Sequence, residues 1–211
     1  MNLVLLFEED FAQDPQRVRL SGRRLAHVRE IHRAEVGDEL CVGLLGGRIG
    51  SGKVLALDER GIELAVEFDR APPPALPVTL VLALPRPLVL KRVLIAATSL
   101  GVKRILLVNA GRVEKSYWQS HAMTDAAIRE QLLLGLEQAR DTRLPEVGLR
   151  KRFRPFVEDE LPSLLPGKRG LVAHPGGGPE CPRGVDREVV LAVGPEGGWS
   201  DHEISALQEC G

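Results

Sequence analysis

Cysteines and long apolar runs are both scarce in this sequence of 211 residues. The three cysteines, Cys41, Cys181 and Cys210, lie far apart and form no C-x-x-C pair, which argues against a disulfide framework and against a zinc site. No apolar run approaches the roughly 18 residues that a membrane helix needs, and the N-terminus lacks the basic start of a secretion signal. The sequence therefore predicts a cytoplasmic protein with no metal site and no membrane partner.

An excess of charge of either sign is also missing, because 28 Lys and Arg stand against 29 Asp and Glu, for a net charge of -1. The net charge thus argues neither for nor against nucleic acid, and the distribution of charge must decide. A hydrophobic fraction of 44% and a charged fraction of 27% are those of an ordinary globular protein of one or two domains.

Residues 1 to 70 predict a small β-barrel, because short apolar runs at 3–7, 39–42, 50–57 and 61–68 are separated by glycines. Residues 47–53 have the spacing of a phosphate-binding P-loop. Val54, however, stands where a Ser or Thr would bind magnesium, so a β-turn between two barrel strands is the better interpretation.

A basic stretch lies between the first two of these runs. Residues 21–33 show helical spacing through Leu25, Val28 and Ile31. The surrounding arginines, against the single acid Glu30, are Arg17, Arg19, Arg23, Arg24, Arg29 and Arg33. The pattern fits either a solvated basic face or a phosphate-binding patch whose affinity falls with salt.

Four prolines between Arg70 and Pro77 predict a stiff extended spacer at residues 71–77. After it, the pattern changes to an alternation of strands and helices. Strands are predicted at 78–84, 104–108, 145–149, 170–174 and 188–193, and helices at 88–100, 124–139 and 156–161. This alternation predicts an α/β domain at residues 78–211 with a mostly parallel sheet covered by helices.

The segment after the last predicted strand is the strongest candidate for a binding site. Residues 189–193 are short, apolar and β-branched, and Gly194-Pro195-Glu196-Gly197-Gly198-Trp199 cannot continue the strand. Ser200 with Glu203 three residues later is a capping box that predicts the start of a helix. A glycine-rich loop at the carboxyl end of a strand in an open α/β sheet is where nucleotide-like ligands usually bind.

Several short motifs are spread along nearly the whole chain. They are His27 and Arg33 in a basic N-terminal barrel, Leu100-Gly101-Val102 after a helix, Glu137-Gln138 with Arg143 and Pro145 before a strand, His174-Pro175 at a strand end, and Gly194-Pro195-Glu196-Gly197-Gly198 with Ser200 and Glu203. Together they resemble the RsmE-type ribosomal RNA methyltransferases, which belong to the SPOUT class.

The resemblance implies a fold of two domains. Residues 1–70 are expected to form a PUA-like β-barrel that binds RNA, and residues 78–211 a SPOUT-type trefoil-knotted α/β methyltransferase domain that forms a homodimer. The family continues past the position of Gly211 with a strand, a second glycine-containing loop and a helix that complete the knot. The C-terminal part of the knot is therefore expected to be absent from this sequence.

The activity that the resemblance implies is methyl transfer from S-adenosylmethionine to N3 of a uridine in 16S ribosomal RNA, with the small ribosomal subunit as partner. By motif, the cofactor is expected to contact Ala173, His174, Gly194, Pro195, Glu196, Gly197 and Gly198. RNA is expected to contact Arg23, Arg24, His27, Arg29 and Arg33.

The base that removes the uridine proton is not visible in the sequence. Glu196 is one candidate, although its carboxylate fits equally well a role in accepting backbone N–H groups within the loop. Arg112 is a candidate for a catalytic residue and for contact with the target RNA, and His174 either contacts the cofactor or ends its strand. Two other functions remain open: a non-catalytic RNA-binding or ribosome-assembly module, and a SPOUT ribose 2′-O-methyltransferase.

Overall fold

The computed structural model describes residues 3–11, 14–175 and 180–210, without the side chains of residues 31 and 32. The chain divides into two units. The N-terminal unit contains Met1–Pro74 together with Leu133–Leu144, and the C-terminal unit contains Ala75–Leu132 together with Pro145–Gly211.

The N-terminal unit is built on a five-stranded sheet in the order β1-β3-β4-β5-β2. Its strands are β1 (Val4–Leu6), β2 (Arg17–Leu20), β3 (Glu39–Leu44), β4 (Ile49–Leu57) and β5 (Ile62–Arg70). β1 pairs with β3 in parallel, and the other pairs are antiparallel. A 3₁₀ turn at Glu8–Asp10 and helix α1 (Gly22–His27), which continues as a π-helical turn at Val28–His32, complete this part.

Both edge strands of this sheet contribute to one buried cluster. Val4 and Leu6 of β1 share it with Val18 and Leu20 of β2. Because the edges meet the same core, the sheet curls around it. The four predicted runs are confirmed as strands, whereas β2 was not predicted because its four residues carry only two apolar side chains. Closure of this sheet into a barrel stays a prediction.

The helical and P-loop-like segments of this unit follow the sequence interpretation. Leu25 and Val28 are buried as their spacing predicts, although the α-helix itself ends at His27. Residues 47–53 lead into β4 through a turn in which the Gly47 N–H donates to the Leu44 carbonyl at 2.8 Å. Val54 is a core residue, so the β-turn interpretation is confirmed.

The C-terminal unit contains five parallel strands in the order β8-β7-β6-β10-β9. The strands are β6 (Leu76–Ala83), β7 (Val102–Val108), β8 (Glu146–Arg150), β9 (Arg169–Ala173) and β10 (Val189–Val193). The helices are α2 (Pro87–Ser99), α3 (Asp125–Ala139), α4 (Phe153–Pro155), α5 (Leu161–Leu164) and α6 (Asp201–Glu209), with 3₁₀ turns at Lys115–Gln119 and His121–Met123 and a π-helical turn at Phe156–Glu160. The predicted parallel sheet and its helices are confirmed.

β6 begins at Leu76, so the end of the predicted proline spacer is the first part of a central strand. Pro77 lies at an irregularity in the pairing with β7, between Leu76 and Thr79. A residue without an N–H is tolerated where the ladder is interrupted. The Leu76 N–H meanwhile donates to the Gly101 carbonyl at 2.9 Å.

Four strands end side by side at one edge of this sheet. Val193 of β10 lies opposite Leu82 of β6 and Ala173 of β9, and Val108 of β7 lies opposite Ala83 of β6. We call this the carboxyl edge. No helix within the described residues is long and apolar enough to cross a bilayer.

The second half of α3 and the loop after it belong to the N-terminal unit. Leu136, fully buried, joins Leu3, Leu5 and Ile49 in one apolar cluster. The Leu3 N–H donates to the Glu137 carbonyl at 2.9 Å. The strands of residues 1–74 therefore depend for part of their core on residues that follow more than fifty positions later.

Replacement of Leu136 by alanine is expected to lower the free energy of unfolding by about 2 to 5 kcal/mol, because it leaves a cavity in this cluster. Urea denaturation followed by circular dichroism measures the change. Arg129→Ala, at an exposed position of the same helix, is the control and is expected to stay within about 0.5 kcal/mol of the parent protein. Equal losses in the two variants would contradict the assignment of Leu136 to the core.

Candidate functional site

The segment Gly194–Trp199, here the glycine loop, joins β10 to α6 at the carboxyl edge. The Gly198 N–H donates to the Pro195 carbonyl at 2.7 Å, which closes a tight turn. Gly198 has a φ of 72°, in the left-handed region that favours glycine. At Gly194 a Cβ atom would stand 3.1 Å from the Trp199 nitrogen, so a side chain there would crowd the start of α6. The glycines are thus required by the shape of the loop.

Glu196 connects the glycine loop to the end of β6. Its Oε1 accepts a hydrogen bond of 3.0 Å from the backbone N–H of Arg86, the residue before α2. Glu196 and Gly197 are exposed. The sequence left two roles open for Glu196. The structure shows a partner for one of them, the contact with a backbone N–H. The role as a base stays a prediction.

Arg112 connects the glycine loop to the segment after β7. Its guanidinium Nη1 donates to the carbonyl oxygens of Gly197 and, at 3.4 Å, of Trp199. The side chain that was predicted to contact RNA is therefore in contact with the backbone of the glycine loop.

Glu203 forms a third connection, and its carboxylate is buried, with the residue 5% exposed. Oε1 accepts a hydrogen bond of 2.7 Å from the Gly111 N–H. Oε2 accepts from the N–H and the hydroxyl of Ser200, at 2.8 and 2.9 Å. The predicted capping box at the start of α6 is confirmed, but the bond to Gly111 carries no signal in the sequence, because the two residues lie 92 positions apart.

Trp199 anchors the end of the glycine loop. It is 1% exposed, and its ring lies 5.9 Å from that of Phe153, between centroids. Its indole Nε1 has no hydrogen-bond partner among the residues that the structure describes. The sequence interpretation did not assign a role to Trp199, although a large aromatic side chain directly before a helix cap is a common sign of an anchor.

The predicted cofactor residues of β9 lie at the same edge. Ala173 is paired in register with Val193, the residue before the glycine loop, and both Ala173 and His174 are exposed. The structure therefore brings Ala173, His174 and residues 194–198 together at the carboxyl edge.

An ion pair lies near the end of β8, where the Asn109 N–H donates to the Arg150 carbonyl at 2.9 Å. Arg150 binds the Glu160 carboxylate through two nitrogens, one of them at 2.7 Å. These hydrogen bonds lower the pKa of Glu160 and raise the pKa of Arg150. The contribution of the pair to stability is therefore present at neutral pH and is lost as the pH falls through the lowered pKa of Glu160.

Residues 72–211 match the family described as RNA methyltransferase domain, and this is well over half of the chain. The chain belongs to this family. The resemblance to RsmE-type enzymes is also confirmed by two relatives named ribosomal RNA small subunit methyltransferase E.

The relative from Treponema pallidum is 27% identical over 214 residues, which cover 96% of this chain and 78% of the relative. The relative from Synechocystis is 28% identical over 201 residues, which cover 89% of this chain and 62% of the relative, so this chain spans less than two thirds of that protein. Among solved structures, the methyltransferase E of Neisseria gonorrhoeae, bound to S-adenosyl methionine, superposes with a TM-score of 0.68 at 18% identity, over 99% of this chain and 86% of that chain. At such identity the likeness shows the fold alone.

The residues of this RNA methyltransferase family member that were predicted to bind RNA lie in the N-terminal unit. Arg23 donates to both carboxylate oxygens of Glu137, at 3.1 and 2.8 Å. Arg24 pairs with Asp10 and its guanidinium lies 4.8 Å from the centre of the Phe7 ring. Arg23 and Arg24 therefore form ion pairs with acidic side chains of the N-terminal unit.

The acids that face the basic stretch are more numerous than the sequence indicated. Besides Glu30, the ion pairs Arg17–Glu63, Arg19–Asp58, Arg23–Glu137 and Arg24–Asp10 place four acids from other elements beside it. The count of a single acid holds for the sequence stretch alone, because the pairing of β2 with β5, the turn after β4, the 3₁₀ turn at Glu8–Asp10 and α3 bring in acids from outside it. Arg29 and Arg33 are exposed, neither forms an ion pair with a described residue, and His27 is half-buried.

No group of three or more His, Cys, Asp or Glu side chains in the described parts of the chain is arranged to bind a metal ion.

Replacement of Glu203 by alanine is expected to lower the free energy of unfolding by about 1 to 3 kcal/mol, because α6 loses the carboxylate half of its capping box and the Gly111 N–H loses its acceptor. Glu203→Gln keeps one of the two acceptor oxygens, so an intermediate loss is expected. Thermal unfolding measures both. Ser205→Ala, at an exposed position of α6, is the control, and a loss from Glu203→Ala no greater than that of the control would contradict this role.

Proposed function

We propose that this protein transfers a methyl group from S-adenosylmethionine to N3 of a uridine in 16S ribosomal RNA of the small ribosomal subunit. The observation that carries the proposal is the glycine loop, which is connected to the ends of β6 and β7 at the carboxyl edge of a parallel sheet. Its position is the one at which open α/β sheets bind nucleotide-like ligands. Membership of the RNA methyltransferase family and two relatives named small subunit methyltransferase E support the choice of reaction and substrate.

The residues present fit this cofactor. Residues 194–198 offer backbone N–H and C=O groups on a loop with three glycines, and the indole Nε1 of Trp199, beside Gly194, is a buried donor with no acceptor among the described residues. Such groups suit the neutral adenine and the zwitterionic methionine portion of S-adenosylmethionine. We propose that residues 194–198 bind the cofactor together with Ala173 and His174. When bound, the cofactor supplies an electrophilic methyl group.

The protein contributes to the reaction mainly by holding the two reactants in position. A displacement at a methyl carbon requires the attacking uridine to be aligned with the leaving sulfur, and fixed binding surfaces supply this alignment. The uridine N3 also carries a proton that must leave. Glu196 stays a candidate for the base, because its Oε2 has no hydrogen-bond partner among the described residues.

The two units take different roles in this proposal. Residues 1–70 would form a PUA-like RNA-binding barrel, which the shared core of both edge strands supports. Residues 71–77 would be the linker, whose last two residues begin β6, and residues 78–211 would carry a SPOUT-type trefoil-knotted methyltransferase domain that forms a homodimer in the cytoplasm, with Leu133–Leu144 packed in the N-terminal unit. The insertion of β10, last in chain order, between β6 and β9 supports this topology.

RNA would bind to Arg23, Arg24, His27, Arg29 and Arg33. Arg29 and Arg33 are expected to contribute most, because they have no acidic partner among the described side chains. A phosphate would have to compete with Glu137 for Arg23 and with Asp10 for Arg24.

The test of the function combines calorimetry with product analysis. S-adenosylmethionine is expected to bind with measurable heat, and small ribosomal subunits from cells that lack the modification are expected to acquire 3-methyluridine, identified by mass analysis of nucleosides. A 2′-O-methylated nucleoside would identify a ribose methyltransferase instead. Absence of cofactor binding and of methylation, with RNA affinity retained, would identify a non-catalytic RNA-binding module.

Replacement of Gly198 by alanine is expected to raise the Kd for S-adenosylmethionine by about tenfold, because the left-handed backbone becomes strained and the loop changes shape. Gly167→Ala is a matched control, since Gly167 has a φ of 74° and nothing within 4 Å of an added Cβ. Both variants are expected to lose about 1 kcal/mol of stability. Equal effects on the Kd would contradict a role of the loop in cofactor binding.

The double replacement of Arg29 and Arg33 by alanine is expected to weaken binding to 16S ribosomal RNA and to reduce the slope of log Kd against log salt by about 1.5 to 2. Fluorescence anisotropy at a series of salt concentrations measures the slope. Arg60→Ala, an exposed arginine in the turn between β4 and β5, is the control. An unchanged slope in the double variant would show that RNA binds elsewhere.

A further inference from the structure

We infer that Arg112 is a positioning residue, whose guanidinium keeps the glycine loop in the shape that binds the cofactor, and that it is not a contact for RNA. The inference rests on the proposed function, since it names the residue on which the cofactor-binding form of the loop depends. It begins from the contact of Nη1 with the carbonyl oxygens of Gly197 and Trp199.

The side chain of Arg112 lies along the glycine loop. A Cβ built on Gly197 would stand 3.2 Å from Cδ of Arg112, and a Cβ built on Gly198 would stand 3.8 Å from Nη1. The methylene groups and the guanidinium thus both face the backbone of the loop. A lysine would offer a single nitrogen on a flexible stem in place of the planar guanidinium.

The backbone beside Arg112 is fixed on both sides. Before it, the Gly111 N–H donates to the buried Glu203 carboxylate at 2.7 Å. After it, the side chain of Val113 is buried, and the Val113 N–H donates to the Ala110 carbonyl at 3.0 Å. Arg112 therefore extends from a rigid segment, which is the requirement for a residue that orients another.

The glycine loop needs such a partner because three of its six residues are glycines. Glycine has the largest conformational freedom in an unrestrained chain, and a loop that must be ordered on binding loses affinity for its ligand. Hydrogen bonds from a charged donor to carbonyl oxygens are stronger than those between neutral groups. Arg112 thus orders the loop before the cofactor arrives.

The experiment compares Arg112→Ala and Arg112→Lys with the control Arg129→Ala, an exposed arginine of α3. All are made in a Trp118→Phe background. Of the two tryptophans in the sequence, only Trp199 then remains. Calorimetry of the full chain measures the affinity for S-adenosylmethionine, anisotropy measures the affinity for 16S ribosomal RNA, and acrylamide quenching measures the accessibility of Trp199.

Arg112→Ala is expected to raise the Kd for S-adenosylmethionine by about tenfold to a hundredfold, the effect of losing a hydrogen bond from a charged donor. Arg112→Lys is expected to show a smaller increase. The RNA affinity of both is expected to stay within about twofold of that of Arg129→Ala, since each variant at most removes one positive charge. Trp199 is expected to be quenched more strongly in Arg112→Ala than in the control.

Weakened RNA binding with unchanged cofactor affinity would overturn the inference and make Arg112 an RNA contact. Unchanged quenching of Trp199 together with unchanged cofactor affinity would overturn it as well. If Arg112→Ala does not fold, the cofactor affinity and the Trp199 quenching of Arg112→Lys decide instead. If the parent protein binds no S-adenosylmethionine, the proposed function fails, whereas the quenching comparison still shows whether Arg112 orders the loop.

Discussion

The buried carboxylate of Glu203 is the contact on which the candidate site depends. With three hydrogen bonds it joins the start of α6, through Ser200, to the segment after β7, through Gly111. A carboxylate at the first turn of a helix also faces the positive end of the helix dipole, which stabilises the helix. Because Gly111 is next to Arg112, the same carboxylate fixes the residue whose guanidinium binds the glycine loop. The shape of a flexible loop therefore follows from a short series of polar contacts on ordered elements.

The site is assembled from segments that parallel pairing brings to one edge. β6 and β10 are neighbours in the sheet although more than a hundred residues separate them in sequence. Glu196 closes the gap between the loops that follow these two strands, by accepting the Arg86 N–H. Arg112 does the same for β7. The chemistry of the site can therefore change with the loops while the strands below them stay the same.

Local patterns in the sequence were sufficient for most of the strands and helices of the C-terminal unit. Apolar runs and glycines gave the parallel sheet, and the Ser200–Glu203 spacing gave the start of α6, because each of these signals lies within a few residues. Contacts between distant residues could not be predicted in this way. The pair Arg23–Glu137 spans 114 positions, and no local pattern shows that an acid of α3 will face an arginine of α1. For the same reason the glycine loop could be predicted as a candidate site, whereas the residues that fix its shape could not.

The division of helix α3 between the two units affects when the N-terminal unit can finish folding. The first half of the helix belongs to the C-terminal unit and its second half to the N-terminal unit, which needs Leu136 for its core. On a ribosome that is still elongating the chain, the first seventy residues emerge long before Leu133–Leu144 do. They cannot complete their packing until β6, α2 and β7 have also been synthesised. Maturation of the N-terminal unit is therefore delayed until Leu133–Leu144 have been synthesised, and its core is completed by this later segment.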